Sequence, residues 1–348
     1  MEKIKNIQGL RGVAVLSVVL LHLMPIEQKY GGSKAILPSL FHYGMFGVDL
    51  FFVISGFVMV AVTRGKFKQQ KHALHFIYHR ASRIYPTYWF YSIIILSVFL
   101  IRPSWLSSDQ GIQTNILASF LLLPSHTVPL VWVGWTLIHE MYFYIIFFLI
   151  LLLFPERKMP MTVLVWAMGV LVMNICFKSS SPIMSVVSHP LTIEFIGGCF
   201  IALLYFKRSS QATARSLIAV ACFGFAVSLF VYACYQKYTG QIVPLHWWRL
   251  LIFGVPALLI VYCFVNAEKK GFVVSSPWVA IGNASYSIYL SHILTISAAG
   301  KIWGMFANNA VYDNVIMVPV LFFTAIIVGV ISYYFVEKPL LGLSRKIA

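Results

Sequence analysis

Long apolar runs alternate with short polar loops along the whole chain. An α-helix needs about 20 mostly apolar residues to cross a bilayer. Ten runs approach that length: 7–24, 44–63, 85–101, 131–154, 161–177, 190–206, 215–234, 249–266, 284–303 and 315–336. Residues 116–124 are apolar but too short, ending at Pro124 with Pro129 close behind. They are expected as a re-entrant or interfacial piece, tolerated at depth only inside protein or against a wet cavity. The pattern therefore predicts an all-α polytopic membrane protein with about ten transmembrane helices. It reads as a single transmembrane domain over 1–348. The first run superficially resembles a cleavable leader, with Lys3 and Lys5 ahead of it. Arg11 inside the run, and no small-residue cleavage site, make it the first membrane helix instead.

Composition agrees with the pattern. The chain is 60% hydrophobic and 10% charged, where soluble domains carry about 25% charged residues. The gaps between runs, roughly 20–30 residues, are too short for a soluble domain, which needs about 50. The net charge of +16 would suggest nucleic acid, but the cations sit in short loops and no nucleic-acid motif occurs. Loop position accounts for the charge. Of the 26 Lys and Arg, seven (Lys29, Lys34, Arg102, Lys178, Lys237, Arg249 and Lys301) fall in one set of alternating loops. The other nineteen fall in the opposite set. Cationic loops stay in the cytoplasm, so both termini are expected there. The five cysteines lie in or beside apolar runs with no CxxC or Cys/His cluster, so no disulfide framework and no metal site are expected. Trp105, Trp132, Trp247 and Trp248 fit an interfacial aromatic belt better than a sugar-stacking surface.

Ionisable residues at membrane depth are functional candidates. Here they are Arg11, His22, Asp49, His139, Glu140, Glu194 and His292. Arg11 and His22 are eleven residues apart, three helical turns plus about 20°, so they share a face and are separated by about 16 Å along the axis. A guanidinium suits phosphate, and an imidazole can take or give a proton near neutrality. The two read as ends of one elongated ligand, with lipid snorkelling and a plain helix–helix hydrogen bond as the competing account. In "HRASRIYPTYW" (79–89), Arg80 and Arg83 share a helix face, either as a phosphate clamp or as an ordinary cytoplasmic anchor. Pro86 is expected to mark a break or a first turn, with Tyr85, Tyr88 and Trp89 as belt residues. Asp49, in "VDLFFVISGF" (48–57), is placed at a level that His22 can reach. Glu140 and Tyr144, in "GWTLIHEMYFY" (134–144), share a face, and a carboxylate there needs a partner such as His22 or an arginine. "GNASYSIYLSHIL" (282–294) carries a polar face of Ser285, Tyr289 and His292.

These segments, with "FGVDLFFVISGFVM", "NASYSIYLSHIL" and "YYFVEKPL", occur in the order seen in the integral-membrane acyltransferase-3 family. The resemblance runs from Arg11 to Pro339 and is strongest to the stand-alone bacterial exopolysaccharide O-acetyltransferases. Some members carry a fused periplasmic hydrolase-like domain, for which this chain leaves no room. The resemblance implies transfer of an acyl group, usually acetyl, from cytoplasmic acetyl-CoA to a hydroxyl of a polysaccharide or its lipid-linked precursor. It implies acetyl-CoA as co-substrate with no permanently bound cofactor. By the family's motifs, Arg11, Arg80 and Arg83 hold the phosphates of the donor. His22 is the general base, oriented by Glu140 or Asp49, with an acetyl-histidine intermediate as the variant mechanism. His139 departs from the small polar or aromatic residue expected beside the glutamate. Membrane lipid is the other expected partner, a homo-oligomer is left open, and nucleic acid is excluded. The alternative from a different class is a transporter or flippase for a sugar or lipid-linked glycan. It shares the spans and the buried charges but does not explain cations gathered at one cytoplasmic mouth below a histidine.

Overall fold

The computed structural model describes residues 3–32, 34–101, 114–177, 180–207, 210–244, 246–307 and 311–347. Arg102, Trp105, Lys178 and Arg208 lie outside them. In chain order the helices are α1 (Lys5–Tyr30), α2 (Phe46–Thr63), α3 (Gln70–Ile101), α4 (Ile116–Leu121), α5 (Gly134–Leu153), α6 (Met159–Cys176), α7 (Pro182–Val187), α8 (Leu191–Lys207), α9 (Ala214–Thr239), α10 (His246–Arg249), α11 (Val255–Lys269), α12 (Ser276–Asn283), α13 (Ser285–Trp303), α14 (Val311–Ser332) and α15 (Lys338–Ile347). There is no strand among the described residues. Nine stretches among them are long and apolar enough to cross a membrane, one in each expected span except 284–303. That span is the helix α13, too polar for the same measure. Ser285, Ser287, Ser291 and His292 on it are buried, so its polar groups face protein rather than lipid. The protein is an all-helical, multi-pass membrane protein.

The chain divides into two compact units, one of residues 1–57 and 197–334, the other of 58–196 and 335–348. In the first, α1 is the helix against which others pack. Its start is tied down by polar groups. The Lys5 and Asn6 amides donate to the Glu268 carboxylate at 2.9 and 2.7 Å, an acid placed at a helix N-terminus, where the free amides point. The Asn6 side chain, fully buried, donates to the Phe264 and Phe272 carbonyls and accepts from the Val274 amide, each at 2.9 Å.

Close approach then sets direction and register. A Cβ on Gly44 or Gly47 would run into the carbonyl oxygens of Ser17 or Ala14, and one on Gly282 into that of Gln8. Lipid tails are as apolar as leucine, so small residues that let backbones meet are what drive helix pairing. The pairs Gly44–Ser17 and Gly47–Ala14 make α2 antiparallel to α1. His292 against His22, and Gly300 against Ile26 and Tyr30, make α13 parallel to α1. Parallel packing is what a first and a ninth crossing require.

In the second unit α5 runs antiparallel to α3. The Lys68 amide donates to the Leu151 carbonyl at 2.9 Å, Phe76 meets Phe147 at 5.6 Å between ring centroids, and Gly134 packs on Tyr88. Phe143, Phe147, Phe195 and Trp166 complete an aromatic core. Two expectations are corrected here. Helix α3 begins at Gln70 and runs through Pro86 rather than breaking there, although proline removes the bond to the Ser82 carbonyl. Nor are Tyr85, Tyr88 and Trp89 simply belt residues. They donate to the Leu121, Ser119 and Phe120 carbonyls at 3.0, 2.9 and 2.8 Å, the last carbonyls of α4, where helices leave acceptors to be met from outside; that of Ser119 also accepts from the Leu122 amide at 3.2 Å. Asn115 caps the other end by accepting from the Ala118 amide at 2.9 Å, and Leu122 terminates α4 at φ 53°. Tyr85 lies sixteen residues before the end of α3, about 24 Å along the axis. The short apolar piece is therefore folded back along α3 to that level.

The packing makes a sharp distinction between glycines. Gly282→Ala should cost about 3 kcal/mol, the upper end for overpacking, and depress both the yield of monodisperse protein and its melting temperature. Gly169→Ala, whose added methyl meets nothing within 4 Å, should change neither. Equal behaviour of the two in fluorescence-detected size-exclusion and thermal melts would contradict the α1–α12 register.

Candidate functional site

Helix α1 is unbroken from Lys5 to Tyr30, with Pro25 inside it. Arg11 and His22 therefore do share a face about 16 Å apart, both half-buried. The first unit answers His22 from two sides. Its Nδ1 lies 2.8 Å from the Val18 carbonyl one turn back and 3.2 Å from Nε2 of His292. The rings meet edge-on at 4.9 Å. His292 is fully buried, and its own Nδ1 lies 2.7 Å from the Tyr289 carbonyl. The polar face of "SYSIYLSHIL" is thus the face that α13 turns to α1.

Asp49 is placed elsewhere. Its carboxylate accepts two bonds from Arg249, from Nε at 2.9 Å and from the terminal nitrogen at 2.8 Å. Asp49 is fully buried and the Arg249 side chain 12% exposed. Of Asp49 and Glu140, the two carboxylates expected to orient His22, Asp49 is thus paired with Arg249, and the ring that lies beside His22 is His292. Arg249, counted by sequence with the outer-loop cations, is a buried ion-pair partner. A five-residue π-helical stretch, Leu250–Gly254, follows it. There the Ile252 carbonyl accepts from Ser228, whose hydroxyl also meets that of Tyr43 at 2.7 Å.

In the second unit Arg80, Tyr144 and Glu140 form one group. The Tyr144 hydroxyl donates to the Glu140 carboxylate. The Arg80 guanidinium lies over the rings of Phe76 and Tyr144, 5.7 and 5.9 Å from their centroids, favourable for a cation on an aromatic face. Its Nε is buried without a hydrogen-bond partner, a donor left for something else. Arg83 follows one turn on. Tyr144 is the eleventh residue of the twenty in α5, so Arg80 stands about 15 Å from either end of that helix. Arg80 thus stands beside the middle of α5. Glu140 was expected to need a partner, and Tyr144 on its own face, the pairing the i, i+4 spacing allows, is one. His139, the departure from the family pattern, is buried against His189 at 4.8 Å and Trp135 at 5.8 Å between centroids. Glu194 is also buried. Among the described residues no three His, Cys, Asp or Glu come together to hold a metal.

These features define an all-helical integral-membrane protein, with a histidine pair in one unit and an arginine–tyrosine–glutamate group in the other. The comparisons with known proteins fix which. An acyltransferase domain of the acyltransferase-3 type matches residues 4–334. The chain belongs to that family, and it is a membrane O-acyltransferase rather than a transporter. It is 28% identical over 325 residues to the exopolysaccharide production protein ExoZ of Rhizobium meliloti, covering 88% of this chain and 93% of that one. It is 25% identical to the acyltransferase MdmB of Streptomyces mycarofaciens, over 87% of this chain and 81% of that one. Identity is 23% to the peptidoglycan O-acetyltransferase OatA of Listeria monocytogenes, over 97% of this chain and only 56% of that longer protein. No solved structure is a significant match.

The Asp49–Arg249 pair sets a test of stability. Asp49→Ala leaves Arg249 buried without its counter-ion and should cost about 3–5 kcal/mol, read as a large drop in melting temperature in detergent. The double variant Asp49→Leu, Arg249→Met should recover most of it, because no charge is then left unpaired. A single variant that melts with the wild type would mean that the pair does not hold α2 to α10.

Proposed function

We propose that this enzyme transfers an acetyl group from cytoplasmic acetyl-CoA to a hydroxyl of a cell-surface polysaccharide or its lipid-linked precursor, in a bacterial cytoplasmic membrane with both termini inside. The observation that carries the reading is a family of O-acyltransferases in which this chain keeps a histidine at depth with its Nδ1 already engaged. The relatives named for exopolysaccharide production and peptidoglycan O-acetylation support the glycan acceptor. Arg11, Arg80 and Arg83 are assigned to the donor's phosphates, for which a guanidinium fork is suited. The buried, unmet Nε of Arg80 favours an anionic ligand there. His22 takes the proton of the acceptor hydroxyl as that oxygen attacks the thioester carbonyl. Glu140, through the Tyr144 hydroxyl, holds the group that carries Arg80.

Removal of a general base typically costs 10²–10⁴-fold in rate. His22→Ala, expressed at the normal level in a host lacking the native protein, should therefore leave no acetyl signal in the proton NMR spectrum of surface polysaccharide. Arg83→Ala should raise the acetyl-CoA concentration needed rather than abolish turnover. It should also lose the thermal stabilisation by coenzyme A, about 2.7 kcal/mol at a hundredfold excess over Kd. Acetylation by His22→Ala would sink the assignment.

For the topology, a C-terminal green fluorescent protein should fluoresce and a C-terminal alkaline phosphatase should stay inactive. The reverse pair of outcomes would place that end outside.

A further inference from the structure

We propose that His292 is a positioning residue that fixes the tautomer and aim of His22, so that the nitrogen presented to the reacting groups is Nε2. The inference rests on the reading of His22 as the base. Three distances carry it. A carbonyl oxygen only accepts, so the 2.8 Å contact of His22 Nδ1 with the Val18 carbonyl puts a proton on that nitrogen. The 2.7 Å contact of His292 Nδ1 with the Tyr289 carbonyl does the same in the second ring. A neutral imidazole protonated at Nδ1 has its lone pair on Nε2. Nε2 of His292 is therefore an acceptor, and it lies 3.2 Å from His22 Nδ1. The three contacts are satisfied together when the His22 Nδ1–H is shared between Val18 and His292. The other tautomer of His22 would set its lone pair against two acceptors at once.

The arrangement is built into two helices. Each ring is fixed by a carbonyl of its own helix, and the rings are brought together by α1–α13 packing. Gly300 of α13 keeps that approach close, because a Cβ there would meet Ile26 and Tyr30. During transfer the acceptor O–H proton moves to Nε2 of His22. The oxygen's electron pair forms the new C–O bond to the acyl carbon, and the C–S bond breaks with its pair passing to sulfur. The proton on Nε2 is then released to the thiolate. His292 takes no proton in this sequence; it keeps the Nδ1–H of His22 in place while the imidazolium exists. The same geometry assigns any acetyl-histidine to Nε2, because Nδ1 is engaged.

The test compares two variants of the full-length protein. His292→Phe keeps a ring and removes the acceptor. It should lower kcat roughly 10–100-fold, the scale for losing the outer hydrogen-bond partner of a histidine, with KM for acetyl-CoA and for acceptor unchanged. His292→Gln can place Oε1 where Nε2 stood and should restore most of kcat. Wild-type kcat in His292→Phe would overturn the proposal, as would equal impairment of the two variants. Independently of turnover, the wild-type protein labelled with 15N-histidine should show His22, assigned by difference from His22→Gln, protonated at Nδ1. Protonation at Nε2 would overturn the proposal even if both His292 variants fail to fold. Retained acetylation by His22→Ala, by contrast, would remove the base assignment and leave the tautomer measurement standing on its own.

Discussion

A bilayer core offers no water to hydrogen-bond, so every polar group carried to depth must be answered from within the protein. That constraint selects the long-range contacts in each unit. The buried Asn6 is answered by backbone 258 to 268 residues away. Asp49 is answered by Arg249 across 200 residues. The last carbonyls of α4 are answered by the hydroxyls and indole of α3. In a soluble protein, burial of apolar area would dominate. Here lipid competes for apolar faces on equal terms, so these few polar pairings and the glycine approaches decide which helices become neighbours.

The same constraint explains why α1 is the reference helix of its unit. Its first turn is held by Glu268, its middle by the backbone approaches at Gly44 and Gly47, and its C-terminal half by α13. A helix fixed at three heights presents Arg11 and His22 with little freedom of rotation. Their common face is then a property of a rigid element, which is what a site needs if its groups are to be held near productive geometry.

Much of this was legible in the sequence, for identifiable reasons. Apolar length finds spans, so nine of the ten runs reappear as apolar crossings. The remaining run, 284–303, was also counted as a span and is the helix α13, which hydropathy alone underrates because its polar side chains are turned inward. The shared face of Arg11 and His22 follows from helical period. What failed were pairings. Arg249 sits at the edge of a run, where a snorkelling cation and a buried partner look alike. Asp49 was read as able to reach His22, and nothing in the local sequence names Arg249, 200 residues on, as its partner. Glu140 was read as needing His22 or an arginine; Arg80 does stand in its group, while Tyr144, seen only as sharing its face, is its hydrogen-bond partner. Pro86 misled because proline is tolerated inside a membrane helix when neighbours serve the freed groups. Nothing in local sequence says that α4 is the neighbour of Tyr85, Tyr88 and Trp89.

The chemistry of the partner chosen for His22 has its own logic. An ionised carboxylate beside an imidazole favours the charged ring, and a ring that already holds the proton cannot accept one. Two buried carboxylates of the same unit are committed elsewhere, Asp49 to Arg249 and Glu27 to the Ile36 and Leu37 amides, and a second histidine stands beside His22. A neutral imidazole aims its neighbour through one hydrogen bond without adding a charge to a water-poor site, where an unpaired charge is expensive. It also cannot rotate to offer a donor in place of an acceptor, because the Tyr289 carbonyl holds its other nitrogen. Orientation and neutrality are thus supplied by one residue, and the cost is only a polar face on α13 that must be kept from lipid. The serines that share that face, buried with it, are how the helix meets that cost.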